Sequence, residues 1–286
     1  MESKIVDAVE FRDGQRHQWN SAAAGWRKWS DLIDGAASGI SERLVEMAGV
    51  EPGSRVLDVA AGYGEPSLTA ARAAGPEGAV LATDISAEMI AFGRERAAAT
   101  GLENIEFVQS DAASLDFPAA SFDAALSRWG IIFEPDAEAA ATHIRSFLKP
   151  GGRMAISSWG SSDRVPFLGI PMRTAMQRLQ VPPPPPGTPG PLSRPTPQAL
   201  GGLLEAAGFS DVEVEEAEVT FEWQSPESFT TFIREIAPPI TAMIASHPQE
   251  VQNETWAAIT EAIRQTAGDG EAVRFPNLVL LAAGRA

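Results

Sequence analysis

Short apolar runs alternate with amphipathic stretches through the middle of the chain. Val56-Leu57-Asp58-Val59-Ala60, Ala79 to Asp84, Ile105 to Val108, Phe122 to Ser127 and Arg153 to Trp159 read as strands. The stretches between them carry helical spacing. One runs from Pro66 through Arg72, with the proline suited to a first turn. A second spans Ala87 to Ala99 behind a Ser86 cap, and a third spans Ala137 to Leu148 and stops at Pro150-Gly151-Gly152. Ahead of this region, Trp19, Ala22, Ala23, Trp26 and Trp29 recur every three or four residues and share one helix face. A further helix fits Ser41 to Ala48, with Ser41 as N-cap and Gly49 as stop. After Trp159 the order loosens. The proline-rich stretch Pro182 to Pro197 reads as a stiff connector. Helix returns near Gln198–Ala207, Asp211 to Trp223 reads as a strand, residues 227–267 are mainly helical, and Asn277 to Ala283 is a last strand. Seven strands alternating with helices predict an α/β fold: a Rossmann-like, mostly parallel seven-stranded sheet with helices on both faces. N-terminal helices and a helical lid complete it. The expected organisation is one domain over 1–286, with closing helices at 1–50, a core at 51–160, and sheet completion, connector and lid at 161–286.

Composition narrows the chemistry. The chain has 286 residues, 22 Lys+Arg and 38 Asp+Glu, for a net charge of −16. A surface this acidic repels phosphate backbones, so nucleic acid is not an expected partner. There is no basic stripe for an anionic membrane either. Cysteine is absent, which removes disulfides, thiolate nucleophiles and Cys-ligated metals. Three histidines are too few for a His-rich centre, so no metal site is expected. Met1 to Asp7 lacks the basic start and apolar stretch of a signal peptide, and no apolar run reaches the ~18–20 residues of a membrane span. The expected location is cytoplasmic.

The informative stretch is Asp58-Val-Ala-Ala-Gly62-Tyr-Gly64. A strand delivers an acid, then a turn of small residues that lets the backbone approach a ligand, then a helix N-terminus. Asp84 ends the second strand, where an acid can accept both hydroxyls of a ribose. Asp111-Ala112 follows the third strand, and the carboxylate there can accept from an adenine amino group. This ordered set resembles the class I S-adenosylmethionine-dependent methyltransferases, within the small-molecule group of the ubiquinone and menaquinone biosynthesis methyltransferases. That family's glycine-rich motif has a glycine where this chain has Ala60, which is also small. The resemblance implies S-adenosylmethionine as cofactor, leaving as S-adenosylhomocysteine. It implies that Ala60, Ala61, Gly62 and Gly64 pass close to it and that Asp58 helps to position its methionine end. Asp84 would hold the ribose, with Ile85 and Met89 against the adenine, and Asp111 and Ala112 would meet the adenine edge. Ser127, Arg128 and Trp129 would border the methionine part and the methyl group. The Trp19–Trp26 stretch is similar to a helix that closes over the site, with Trp26 toward the cofactor and Trp19, Trp129 and Phe133 toward the acceptor.

Methyl transfer from a sulfonium needs in-line positioning above all, and a base only where the acceptor must lose a proton. His17, ahead of the tryptophans, and Arg128 are the candidate catalytic residues. His143 reads as structural, and Trp29 as core. Asp111 and Asp84 could instead be caps, Trp129 plain packing, and Arg128 a partner of a surface acid. The position after the fourth strand, Ser127-Arg128-Trp129-Gly130, lacks the Asn/Asp-Pro-Pro-aromatic pattern of nucleobase methylation. The expected partner is therefore a hydrophobic small-molecule methyl acceptor, such as a phenolic, a quinone or another secondary metabolite; a homodimer stays open. Two other readings stay open as well: an NAD(P)-dependent oxidoreductase, disfavoured because Ser67 stands at the third glycine of Gly-x-Gly-x-x-Gly, and a non-catalytic S-adenosylmethionine-binding module.

Overall fold

In the computed structural model, which describes residues 8–185, 187–268 and 272–286, the parallel strands are β1 (Arg55–Val59), β2 (Ala79–Asp84), β3 (Ile105–Gln109), β4 (Phe122–Arg128) and β5 (Leu148–Trp159). β6 (Ser210–Trp223) and β7 (Val273–Arg285) complete one seven-stranded sheet in the order β3-β2-β1-β4-β5-β7-β6. β7 inserts antiparallel between β5 and β6. Leu57, Ala125, Met154 and Ala155 are fully or almost fully buried, as expected for central strands covered on both faces. The strand order reverses between β1 and β4, which Asp58 and Leu126 pair across. The two chain directions part there, so a cleft opens beyond the carboxyl ends of these strands.

The helices between the strands are α3 (Ser67–Ala74), α4 (Ala87–Thr100) and α5 (Ala137–Phe147). Ser86 caps α4 by accepting from Met89 N at 3.1 Å. α6 (Pro166–Leu179) and α7 (Pro197–Ala206) follow β5; α8 (Pro226–Ile236), α9 (Pro238–Ala245) and α10 (Gln249–Ala267) lie between β6 and β7. No helix among the described residues is long and apolar enough to cross a membrane. The leader expectation at Met1–Asp7 and Pro186 of the proline run lie outside the described residues.

Several expectations need correction. The N-terminal helices are α1 (Ala8–Lys28) and α2 (Ser30–Met47), broken at Trp29, so Ser41 lies inside α2 and caps nothing. It is fully buried. Its hydroxyl has a partner in the core that local spacing could not reveal. α5 ends at Phe147, and Pro150-Gly151-Gly152 belongs to β5. α6 was not expected at all; Gly169 and Pro171 interrupt its apolar period. Pro66 precedes α3 rather than opening it. The proline-rich stretch, read as a stiff connector, is also anchored along its length. Gly190 N and Ser193 Oγ both donate to Ile132 O at 3.1 Å, and Arg194 pairs with Glu138 at 2.8 Å, strapping the segment over the end of β4.

Candidate active site

The turn after β1 builds the first wall of the cleft. Ala60 (φ 58°), Gly62 (φ 55°) and Gly64 (φ 108°) all hold left-handed backbone. Ala60 thus holds a backbone conformation that glycine adopts without strain. Its methyl fits because residue 130 is glycine: a Cβ there would lie 2.4 Å from that of Ala60. Asp84, at the end of β2, spans the turn. Its Oδ2 accepts from Gly62 N and its Oδ1 from Ser86 N, both at 2.8 Å. Burial nevertheless raises its pKa to about 6. Asp58 is fully enclosed behind the turn and bonds the Ser67 hydroxyl, while its Oδ1 has no partner. Burial pushes it up to about 7.

These elements enclose a cavity of about 920 Å³, counting its open mouth. Ala60, Ala61, Gly62, Asp84, Ile85 and Met89 line it, as do Asp111 and Ala112. The Asp111 carboxylate accepts from Ala113 N, Ser114 N and Ser114 Oγ at 2.8–3.1 Å, so it also caps the turn at Ala112–Ser114. Arg128 is buried and faces the cavity. Its guanidinium meets Ser41 Oγ at 2.9 Å and not a surface acid. Its guanidinium carbon lies 5.0 Å from the Trp129 ring centroid.

Three cofactor expectations lie in the layer behind the wall. Asp58, Gly64 and Ser127 do not line the cavity. Ser127 Oγ accepts from Ile131 N at 2.9 Å and holds the turn at Ile131–Phe133. His17 is corrected outright as a base. It sits on the exposed face of α1 and lines neither cavity, because the helical turn that points Trp19 and Trp26 inward points His17 out. His143 donates from Nε2 to Leu115 O at 2.8 Å, a structural contact. Trp29 packs edge-on against Phe232 and donates to Glu235 at 2.5 Å.

Sequence reasoning passed over Tyr63. Its phenol is buried, donates to Asp34 at 2.8 Å, and burial drives its pKa above the ordinary tyrosine range. Its ring meets Phe92 and Trp26, with centroids 5.9 and 5.7 Å away. Its standing as the chain's single tyrosine, inside the glycine-rich turn, was the available signal. Phe11, Arg12 and Gln15 of α1 also line the cavity, as does Glu134, whose carboxyl burial raises.

A second cavity of about 660 Å³ adjoins the first, and Trp19, Trp26, Trp129 and Phe133 line both. Trp129 (φ 56°) stacks on Trp159 at 4.4 Å, and Trp19 meets Phe133 edge-on at 5.2 Å. α6, α8, α9 and Pro191 of the strap supply the outer wall.

The small-residue turn, the Asp84 carboxyl facing the cavity and the Asp111-Ala112 edge fit a nucleoside-bearing cofactor. Comparison with known proteins agrees. Residues 56–152 match a methyltransferase domain family. The chain is 37% identical over 140 residues to the ubiquinone/menaquinone biosynthesis C-methyltransferase UbiE of Pseudomonas putida, covering 48% of this chain and 55% of that protein. The UbiE of Teredinibacter turnerae is 32% identical over 54% of this chain and 62% of its own length. The chain thus spans a little over half the length of these curated relatives. Among solved structures, phosphoethanolamine N-methyltransferase 2 of Haemonchus contortus, in complex with S-adenosyl-L-methionine, aligns over 99% of this chain and 61% of its own, with a TM-score of 0.57 and 20% identity. YcgJ of Bacillus subtilis aligns over 86% of this chain and 98% of its own, with a TM-score of 0.55 and 18% identity. Strand order, turn geometry and sequence likeness converge on residues 56–152, which carry a methyltransferase domain similar to that of UbiE.

Proposed function

We propose that this chain is, over its whole length, an enzyme that transfers a methyl group from S-adenosylmethionine to a hydrophobic small molecule: a phenolic, a quinone or a related secondary metabolite. The observation that carries this reading is the junction of two unlike cavities. One has carboxyls and left-handed backbone suited to a nucleoside; the other is lined by apolar and aromatic side chains; four aromatic side chains are common to both. The likeness to the quinone C-methyltransferases points the same way.

The bound cofactor supplies a methyl group already activated on a cationic sulfur. What remains for the protein is placement, an effect that can lower a barrier by ~7–11 kcal/mol. Asp84, Ile85 and Met89 would hold the nucleoside and Asp111 and Ala112 the adenine edge, while Arg128 would border the methyl-transfer junction beside Trp129. Trp129 would border the methyl, with a cation–π contribution of about 0.5–2 kcal/mol. Trp19 and Phe133 would shape the acceptor side. The reading includes a cytoplasmic location and one functional domain.

Calorimetric titration of S-adenosylhomocysteine, in parallel with NADH, tests the cofactor half. Asp84→Ala should weaken S-adenosylhomocysteine by about 10–100-fold, the loss of a charge-assisted contact worth ~1.5–3 kcal/mol. Binding of NADH in its place would move the turn after β1 into dinucleotide chemistry. Transfer of labelled methyl to phenols and quinones, set against amines, then tests the acceptor half.

A further inference from the structure

Among the described residues, the side chains that line the second cavity belong to tryptophan, phenylalanine, isoleucine, leucine, methionine, alanine and proline. No carboxyl, imidazole, amine, hydroxyl or amide side chain faces it; its polar side-chain atoms are indole N–H groups. Such a chamber can neither solvate a charged acceptor nor take a proton from a neutral one.

The titratable groups around it are committed elsewhere. On α1, Arg12 lies toward Asp111 at 3.8 Å and His17 is exposed. On α2, Asp34 is held by Tyr63 and Arg96. On α8, Glu235 pairs with Lys28 at 2.8 Å and accepts from Trp29, and Arg234 sits over Trp256. On α6, Arg173 lines a separate surface groove. Glu134 faces the first cavity, among Arg12 and Asp111. Asp58 is sealed in with Ser67. The Tyr63 phenol already donates to Asp34. One charge is left at the junction: the Arg128 guanidinium, over the ring of Trp129, which lines both cavities.

We propose that the chamber takes an apolar phenol or enol acidic enough to arrive as its anion, with Arg128 as counter-charge and no protein base. The inference rests on the methyltransferase reading above. A phenol or enol that gives its proton to water before entry arrives as the oxyanion and needs no base inside. An ion unpaired in an apolar chamber would be prohibitive, but this one arrives beside Arg128 and a cationic cofactor. Low dielectric strengthens those attractions and favours a reaction that destroys two opposite charges. In the transfer the oxyanion supplies the electron pair of the new O–CH3 bond, the sulfur keeps the pair of the broken S–CH3 bond, and no proton moves. A neutral amine or a weakly acidic alcohol meets no group here that could take its proton.

Binding tests this without turnover. The protein is saturated either with S-adenosylhomocysteine, uncharged at sulfur, or with sinefungin, which carries an ammonium group in that region. Each complex is titrated calorimetrically at neutral pH with 4-hydroxycoumarin, an ionised enol, and with 4-methylcoumarin, its non-ionising counterpart. The enol should bind about tenfold or more tighter to the sinefungin complex, and 4-methylcoumarin should show no such preference. Equal preference for the two rings, binding of 4-methylcoumarin alone, or binding of neither ring would overturn the proposal and leave the methyltransferase reading standing. Failure of both S-adenosylhomocysteine and sinefungin to bind would instead remove that reading and this inference with it.

Discussion

Ala60 and Gly130 show how one departure in a motif is absorbed by a neighbour. An alanine in left-handed backbone is strained by about 1–2 kcal/mol. Ala60→Gly should therefore raise stability by up to about 1 kcal/mol, the remainder offset by the greater freedom of unfolded glycine. Gly130→Ala should cost about 2 kcal/mol, because its Cβ would meet the Ala60 methyl at 2.4 Å and Ser127 Oγ at 2.9 Å. The double variant should lose less than the two effects summed, since its closest clash is gone, and denaturant melts of the four proteins measure the coupling. Additive effects would mean that the Ala60 contact is not what excludes a side chain at 130. At this scale the sequence was legible in residue types and less so in directions. Asp84, Ile85, Met89, Asp111 and Ala112 reach the cavity as the motif implies. Asp58 and Ser127 serve the layer behind it, because a one-residue step along a strand reverses the facing side, and Gly64 lies in the turn beyond β1, off the cavity wall. Arg128 found its partner in Ser41, 87 positions away, a pairing no local pattern encodes.

Among the elements, α1 covers most of the site. Phe11, Arg12 and Gln15 roof the first cavity, and Trp19 and Trp26 wall both. The helix is fixed to the rest of the lid at its far end. Trp26 Nε1 donates to Ile236 O at 3.1 Å, and Gly25 lies so close to α8 that a Cβ would fall 2.2 Å from Glu235 O. Gly25→Ala must push α1 off α8. We expect a stability loss of about 1–3 kcal/mol, weaker binding of S-adenosylhomocysteine, and faster hydrogen exchange along α1. Unchanged exchange with weakened binding would show that α1 does not depend on α8 for its position. The tryptophan spacing revealed this helix face, but not the α8 surface that it meets. α6, interrupted by Gly169 and Pro171, and the strap that brings Pro191 to the chamber were illegible for a related reason: their order comes from tertiary contacts such as those to Ile132 O, not from a local period. The strands of the central sheet, by contrast, were readable to within a few residues, because burial on both faces leaves continuous apolar runs.

For the whole molecule, two buried carboxyls and the net charge combine in one measurable behaviour. Asp58 and Asp84 titrate near 7 and 6 in the fold, against ~3.9 in an unfolded chain. Folding therefore favours their protonated forms. The stability this contributes is complete below the unfolded value and is lost as pH rises through about 6 to 7, on the order of 3 kcal/mol for each group. The net charge of −16 acts in the same direction, since self-repulsion eases as pH falls toward the isoelectric point near 4.6. Glu215 opposes them only in stronger acid: its hydrogen bonds to Arg43 hold it below the usual carboxylate range, so its contribution is lost as pH falls through that lowered value. The thermal midpoint of the ligand-free protein should therefore rise by roughly 5 °C between pH 8 and 5.5. Cofactor affinity should move the other way. A ribose hydroxyl donates more strongly to an ionised Asp84 than to a neutral one, so S-adenosylhomocysteine should bind several-fold more weakly as pH drops through about 6. Asp84→Asn should bind weakly with little pH dependence, and Asp58→Asn should flatten much of the midpoint profile. Midpoint and affinity falling together on acidification would mean that the ionised carboxyls stabilise the fold, and that their burial behind the turn after β1 is not what sets their charge.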